Sequence, residues 1–172
     1  MSRAGTCAPL PNRAAPFILT RSCRPMFTMP LFDPPVAPAL LWPIEARWPP
    51  RRARALLGRF QKQWPELSYD VDLAVDVINA QAFLDQGVRR VHLYGGLIRH
   101  RQVGSAGLAV TLAHETGHHM GGPPYHDTYR WLSSEAQADL WAQTVGLVSL
   151  FGSVAAQRVW RTGTAQLASI AG

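Results

Sequence analysis

The spacing of hydrophobic and polar positions changes along the chain, and each spacing predicts an element. In "RRARALLGRFQKQWP", from Arg51, the residues Leu56, Leu57, Phe60 and Trp64 recur at helical spacing with Arg and Gln opposite. This predicts an amphipathic helix that Pro65 stops. "SYDVDLAVDVI" then alternates Tyr69, Val71, Leu73, Val75 and Val77 with Asp70, Asp72, Ala74 and Asp76, the period of two of a strand with one buried face. After "NAQAFLDQG", whose Asp85 to Gly87 can turn, "VRRVHLYGG" predicts a second strand closed by Gly95 and Gly96. Helix resumes near Ser105. There "SAGLAVTLAHETGHHM" carries Leu108, Leu112 and Met120 with small residues between, and "GGPP" ends it, since Gly121 and Gly122 can take positive φ and Pro123 cannot continue. "SSEAQADLWAQTVGLVSL" opens a third helix. Ser134 and Gln137 have capping-box spacing, and Trp141, Val145 and Val148 form an apolar stripe. "SVAAQRVWRTGTAQLASIA" forms a last helix interrupted by Gly163, and no internal repeat is present.

Eleven of the fourteen prolines precede residue 51, which divides the chain into an extended or disordered arm, residues 1–50, and a folded domain, residues 51–172. Met26 offers an alternative start. At 172 residues the chain can bury one substantial core, not two. Its net charge of +6 would ordinarily suggest an anionic partner. The distribution argues against nucleic acid: eight Arg face only Asp33 and Glu45 up to residue 54, whereas nine basic residues balance nine acidic ones beyond it. Cys7 and Cys23 both lie in the arm, without the spacing of a zinc knuckle. No apolar run approaches the roughly 18 residues of a membrane span. The most apolar stretch, Met26 to Trp42, is broken by Pro30, Asp33, Pro34, Pro35 and Pro38, which does not suit a secretory signal. The expected location is therefore cytoplasmic.

The chemistry concentrates in "LAHETGHHMGG". On a helix His114 and His118 lie four apart on one face, so both imidazoles can reach one Zn²⁺ at about 2.0 to 2.1 Å. Glu115 then projects beside the ion, where it can take a proton from water. A tetrahedral catalytic site needs a third protein ligand. Sixteen residues intervene before "EAQAD", in which Glu135 can complete the site and Asp139, four residues on, can orient a liganding histidine through its distal N–H. Antiparallel helices would bring the two faces together, giving one zinc per chain. His119 points about 100° away from His118, outside the ligand set. Tyr125, His126, Asp127, Tyr129 and Arg130 occupy the connecting loop, and one of them other than Asp127 could donate to an oxyanion.

With "HETGH" and "EAQAD" in place, the chain resembles zinc metallopeptidases of the gluzincin group, which carry HExxH on one helix and ExxxD on the next. It is most similar to the family of HtpX and the CAAX-processing prenyl protease, through "NAQAFLDQGVRRVHLYGGLIRH" at Asn79 to His100 and "SSEAQAD". That likeness covers about residues 66–148. It implies His114, His118 and Glu135 as zinc ligands, Glu115 as general base and Asp139 as the residue behind a ligand. It also implies that the strand around Val88 to Tyr94 is an edge along which extended peptides lie. Members of that family usually carry transmembrane helices. Without one, the chain looks more like the small soluble minigluzincins, and a soluble HExxH family that cleaves repressors of mobile elements is a second likeness.

The expectation is thus an α+β, zincin-like domain with a small twisted sheet packed on a backing helix, a metal helix and a glutamate helix. Its expected activity is zinc-dependent endopeptidase hydrolysis of a peptide or protein substrate. A zinc-stabilised, non-catalytic binding module is the alternative, and a basic nucleic-acid-binding arm on an inert body is a third.

Overall fold

The computed structural model describes residues 36–170, so the expectations placed on Cys7, Cys23, Met26 and the arginines up to Arg24 lie outside the described residues. The first described segment is packed rather than free. The Val36 amide bonds to the Asp76 carbonyl, the Trp42 amide to the Arg99 carbonyl, and buried Leu41 bridges His100. Proline removes a donor but leaves the carbonyl acceptors, and Leu40 and Leu41 use theirs to hold the backbone and side chain of Arg101. Residues 36–50, expected to be extended or disordered, therefore join the body. Helix α1 (Trp48–Gln63) begins before Arg51 because Pro49 and Pro50 sit in its first turn, where the missing N–H costs nothing. Its Leu56, Leu57 and Phe60 are buried, as is Trp64 just beyond.

Three strands follow: β1 (Ser68–Asp72), β2 (Ala80–Asp85) and β3 (Val88–Tyr94). The alternation that ran to Val77 is used as strand only to Asp72. Beyond it the Val75 and Val77 carbonyls accept from the Gly96 and Leu97 amides at the start of a short helix, α2 (Gly95–Arg99), instead of from a neighbouring strand. β2 was not expected. Gln81 is buried along with Ala80 and Ala82, so the segment lacks the alternation that marks a strand. It pairs antiparallel with β3 across Gln86 and Gly87, whose φ values of 49° and 84° make a two-residue hairpin turn.

β1 pairs parallel to β3, giving the order β1-β3-β2. This corrects one expectation. Val88–Tyr94 is the central strand, with both sides hydrogen-bonded, and cannot accept another chain along its backbone. Of the two edge strands, β1 contacts α1 and β2 contacts the helix Ser105–Met120.

The sheet turns Tyr69, Val71, Val91 and Leu93 toward the helices. At the centre lies α3 (Ser105–Met120), buried continuously from Gly107 to His119 between α1, the sheet and the C-terminal helices. A helix buried all round needs no polar face, which is why its sequence shows small and apolar residues with little stripe. The next helix is α4 (Glu135–Trp141), which continues through one π turn (Ala142–Gly146) into α5 (Leu147–Phe151). The extra residue of the π turn rotates the stripe. Val145, expected inward, is exposed, and Leu147 is fully buried in its place. Ser134 caps α4 by accepting from the Gln137 amide, but the Gln137 side chain reaches the Gly121 carbonyl rather than closing a capping box. Helix α6 (Ser153–Ala168) runs unbroken through Gly163. The architecture is α+β, one small mixed sheet with its helices on one face.

Gly163 is required by proximity. A Cβ there would stand 2.5 Å from the Ala106 carbonyl oxygen and from Val110 of α3. Gly163→Ala is expected to cost about 1–3 kcal/mol by forcing α6 off α3, read as a lowered midpoint in thermal denaturation. Gly58→Ala, where a Cβ meets nothing within 4 Å, should leave stability unchanged or slightly raised.

Candidate metal centre

Two helix faces meet because one glycine lets them. Gly117 of α3 lies against α4 so closely that a Cβ would be 2.6 Å from the Ala138 carbonyl oxygen. The contact sets Glu135 and Asp139 of α4 opposite His114 and His118 of α3. Three further bonds fix the register at the end of α3: the Ser133 amide donates to the His118 carbonyl, Gln137 to that of Gly121, and Arg89 of β3 to that of His119. They satisfy carbonyls that a helix end leaves unpaired.

The hydrogen bonds then assign the protons. His114 Nδ1 lies 2.7 Å from Asp139 Oδ1, and His118 Nδ1 lies 2.9 Å from the Ser133 carbonyl oxygen. A carboxylate and a carbonyl only accept, so both Nδ1 atoms carry protons and each ring, when neutral, turns an Nε2 lone pair the other way. Those lone pairs converge. The two Nε2 atoms are 3.1 Å apart, and Glu135 Oε2 is 3.2 Å from one and 3.4 Å from the other. Three acceptors in mutual contact repel unless a positive charge stands among them. A tetrahedral ion with bonds of about 2.0 to 2.1 Å has ligand–ligand edges of roughly 3.3 Å, and the observed spacings match. His114, His118 and Glu135 can therefore hold a metal ion. Both histidines are essentially inaccessible to solvent, and the neighbours of buried Glu135 Oε2 within the cluster are the two Nε2 atoms.

Electrostatics repeat the point. Burial acts most strongly on His114 and opposes its charge, yet hydrogen bonding to Asp139 and Glu135 outweighs it and raises the imidazole to about 10. Glu135 is likewise disfavoured by burial, but its contacts with His114 and His118 bring it down to about 2. Without a cation, a proton fills the same electrostatic need.

Glu115 is placed differently. It is fully buried, and neither carboxylate oxygen has a well-formed hydrogen bond among the described residues, although the Ala82 amide of β2 lies on its side and favours the charged form. Burial dominates and pushes it up to about 7, with the charges of His118 and His114 acting in the opposite direction. A buried carboxylate with vacant acceptors beside three ligands is suited to exchanging protons near neutrality.

The remaining candidates separate. His119 is outside the ligand group, as its angle on the helix suggests. Its Nε2 donates to the Arg90 carbonyl at 2.9 Å and its ring stacks on Trp131, and burial lowers it to about 4. It fastens α3 to β3. His126 uses Nδ1 to accept from the Thr128 and Tyr129 amides, shaping its loop. Tyr129 packs with Trp131 against Ala82 and Leu132, and Tyr125 is exposed. Among the described residues none of these three hydrogen-bonds to the ligand group.

Sequence reading missed the Ser133 carbonyl, the Ala82 amide and Gly117. The first two are backbone groups, which carry no residue signature, and the third is legible only when the opposing helix is known.

Compared with family models, curated proteins and solved structures, the chain matches none. Among the described residues no helix is long and apolar enough to cross a membrane.

Two outcomes follow from the geometry. Because His114 holds a proton in the absence of metal, uptake of one ion near pH 7.5 should release about one proton, and affinity should rise about tenfold per pH unit below the raised His114 value. Titration calorimetry in buffers of differing ionisation enthalpy measures this; metal uptake without proton release would contradict it. Gly117→Ala should push α4 away and weaken metal affinity at least tenfold while Asp139 and Glu135 remain in the chain, read by competition with a chromogenic chelator.

Proposed function

We propose that the protein is a zinc-dependent peptidase of the zincin type, akin to the gluzincins its sequence resembles. The observation that carries the reading is the conjunction of a His₂Glu ligand set at tetrahedral spacing with a buried, unpaired Glu115 held near neutrality in its affinity for protons. His₂Glu with a vacant fourth position is a donor set of catalytic zinc, whereas closed structural sites are richer in thiolate. The described residues include no cysteine. Zinc, when bound, supplies Lewis acidity toward a carbonyl and makes bound water acidic.

The residues of the chain supply the rest. Asp139 accepts the His114 Nδ1 proton and the Ser133 carbonyl accepts that of His118, so both rings are fixed in the tautomer that presents Nε2. Glu115 takes a proton from the attacking water and delivers it to the leaving amine, for which an affinity near neutrality serves both directions. Its burial keeps bulk water from competing for its oxygens. An extended peptide would lie along the β2 edge at its more exposed end, Phe83–Asp85, since β2 is an edge strand and its Ala82 lies beside Glu115. This edge takes the place expected for Val88–Tyr94.

Glu115→Gln is expected to retain about one zinc per chain and to lose peptide cleavage by about a hundredfold or more, the scale of a missing general base. Glu135→Ala should lose the metal. Metal analysis together with cleavage profiling on a proteome-derived peptide library checks both. Turnover by Glu115→Gln at the parent rate would refute the mechanism, and zinc binding by the parent without cleavage of any peptide would leave a metal-stabilised binding module.

A further inference from the structure

On the side of α3 away from the ligand-bearing turn, its first half and helices α1, α5 and α6 enclose a half-open cleft of about 460 Å³. That volume is in the range of small-molecule sites. Its floor is apolar, with Leu56, Ala109, Phe151 and Val159, and two guanidinium groups, of Arg52 and Arg59, bound it from α1. The two arginines are seven residues apart, so they stand two turns, roughly 10 Å, apart along one helix face.

Neither cation is neutralised. The ion pairs among the described residues use Asp70, Asp76, Asp85, Glu135 and Asp139, and none involves Arg52 or Arg59. Arg52 instead donates to the Ile98 and Val103 carbonyls and lies 4.4 Å over the Trp48 ring, with its Nε buried and unpartnered. Arg59 donates to the Leu150 carbonyl and lies 4.4 Å over Phe151. Burial lowers Arg52 to about 10, the consequence of a half-buried charge with no counter-ion. A cleft with an apolar floor and unneutralised cations at its rim complements a ligand with one apolar chain and one anionic head. The Arg-rich residues 1–24, which contain no acidic residue, have the wrong charge to supply it.

We propose that this cleft binds a monomeric long-chain carboxylate, a fatty acid, with its chain along the Leu56–Phe151 floor and its carboxylate on one of the two guanidinium groups. The site is separate from the metal centre, and its occupancy does not depend on the peptidase reading.

The test uses the full chain and dodecanoate below its micelle concentration, followed by calorimetry and by the carboxyl ¹³C resonance of labelled ligand. Saturable binding of one dodecanoate is expected, with dodecanol at least tenfold weaker. Ala55→Trp, which fills the cleft from its exposed rim, should abolish binding while far-UV circular dichroism and metal content stay unchanged. Of Arg52→Gln and Arg59→Gln, one should weaken dodecanoate about tenfold and leave dodecanol unaffected. The proposal is overturned by absence of saturable binding, by unchanged binding in Ala55→Trp, by equal affinity for dodecanol, or by indifference to both arginine variants. Binding to phosphatidylglycerol vesicles without uptake of monomeric dodecanoate would assign the cations to a membrane surface and overturn it as well.

Discussion

Two imidazole Nε2 atoms and a carboxylate oxygen held within about a hydrogen-bond length of one another, a cluster that needs a shared proton or a cation, are the constraint to which the rest of the structure answers. His114 and His118 have committed their Nδ1 protons to Asp139 and to the Ser133 carbonyl, so the contact between their Nε2 atoms and Glu135 is relieved only by a further proton on Nε2 or by a cation. Such an arrangement is unfavourable in a neutral, water-excluding interior. It persists because the packing of α3 against α4 over-determines the positions of all three side chains, and a cation turns the same geometry into a gain.

That packing explains features that would otherwise seem unrelated. Gly117 permits the close crossing, and Gly163 permits a second on the opposite side, so α3 is clamped between α4 and α6. Trp64, just beyond α1, packs at a tilt against Trp141 at the end of α4 with ring centroids 5.2 Å apart, tying the backing helix to the helix that bears Glu135. His119, one residue past the second ligand, anchors α3 to β3 through the Arg90 carbonyl. The metal centre is thus held by rigid elements on every side. β2, an edge strand of the sheet, lies alongside Glu115 through Ala82.

Much of the site was legible before the fold was known. The i, i+4 spacing of His114 and His118 and of Glu135 and Asp139 places each pair on one helix face whatever surrounds it, because helical geometry is local. Which ring nitrogen each histidine turns toward Glu135 was not legible, because Asp139 and the Ser133 carbonyl set it. Nor was the sheet. The Tyr69–Val77 alternation marks positions able to alternate, yet hydrogen bonds to the start of α2 claimed Val75 and Val77. β2 went unseen because Gln81 is buried, and the edge was assigned to the wrong strand. Strand order depends on pairing between distant segments, for which periodicity carries no information. The proline-rich stretch after residue 35 reads as free chain, but its carbonyls remained available and Arg101 used them.

By itself, then, the sequence determined an α+β chain with a helix bearing two imidazoles and a carboxylate, a second helix bearing two carboxylates, and an apolar surround for both. Only the tertiary structure decided that the two faces meet at ligand distance, that the fourth partner of the pair of histidines is a backbone carbonyl, and that β2 rather than β3 borders the site. The physical reason is range. Side-chain spacing on a helix is set by neighbours four residues away, whereas the tautomers, the crossing at Gly117 and the sheet edge depend on contacts between residues 15 to more than 30 positions apart, which a roughly 1.5 Å rise per residue cannot encode.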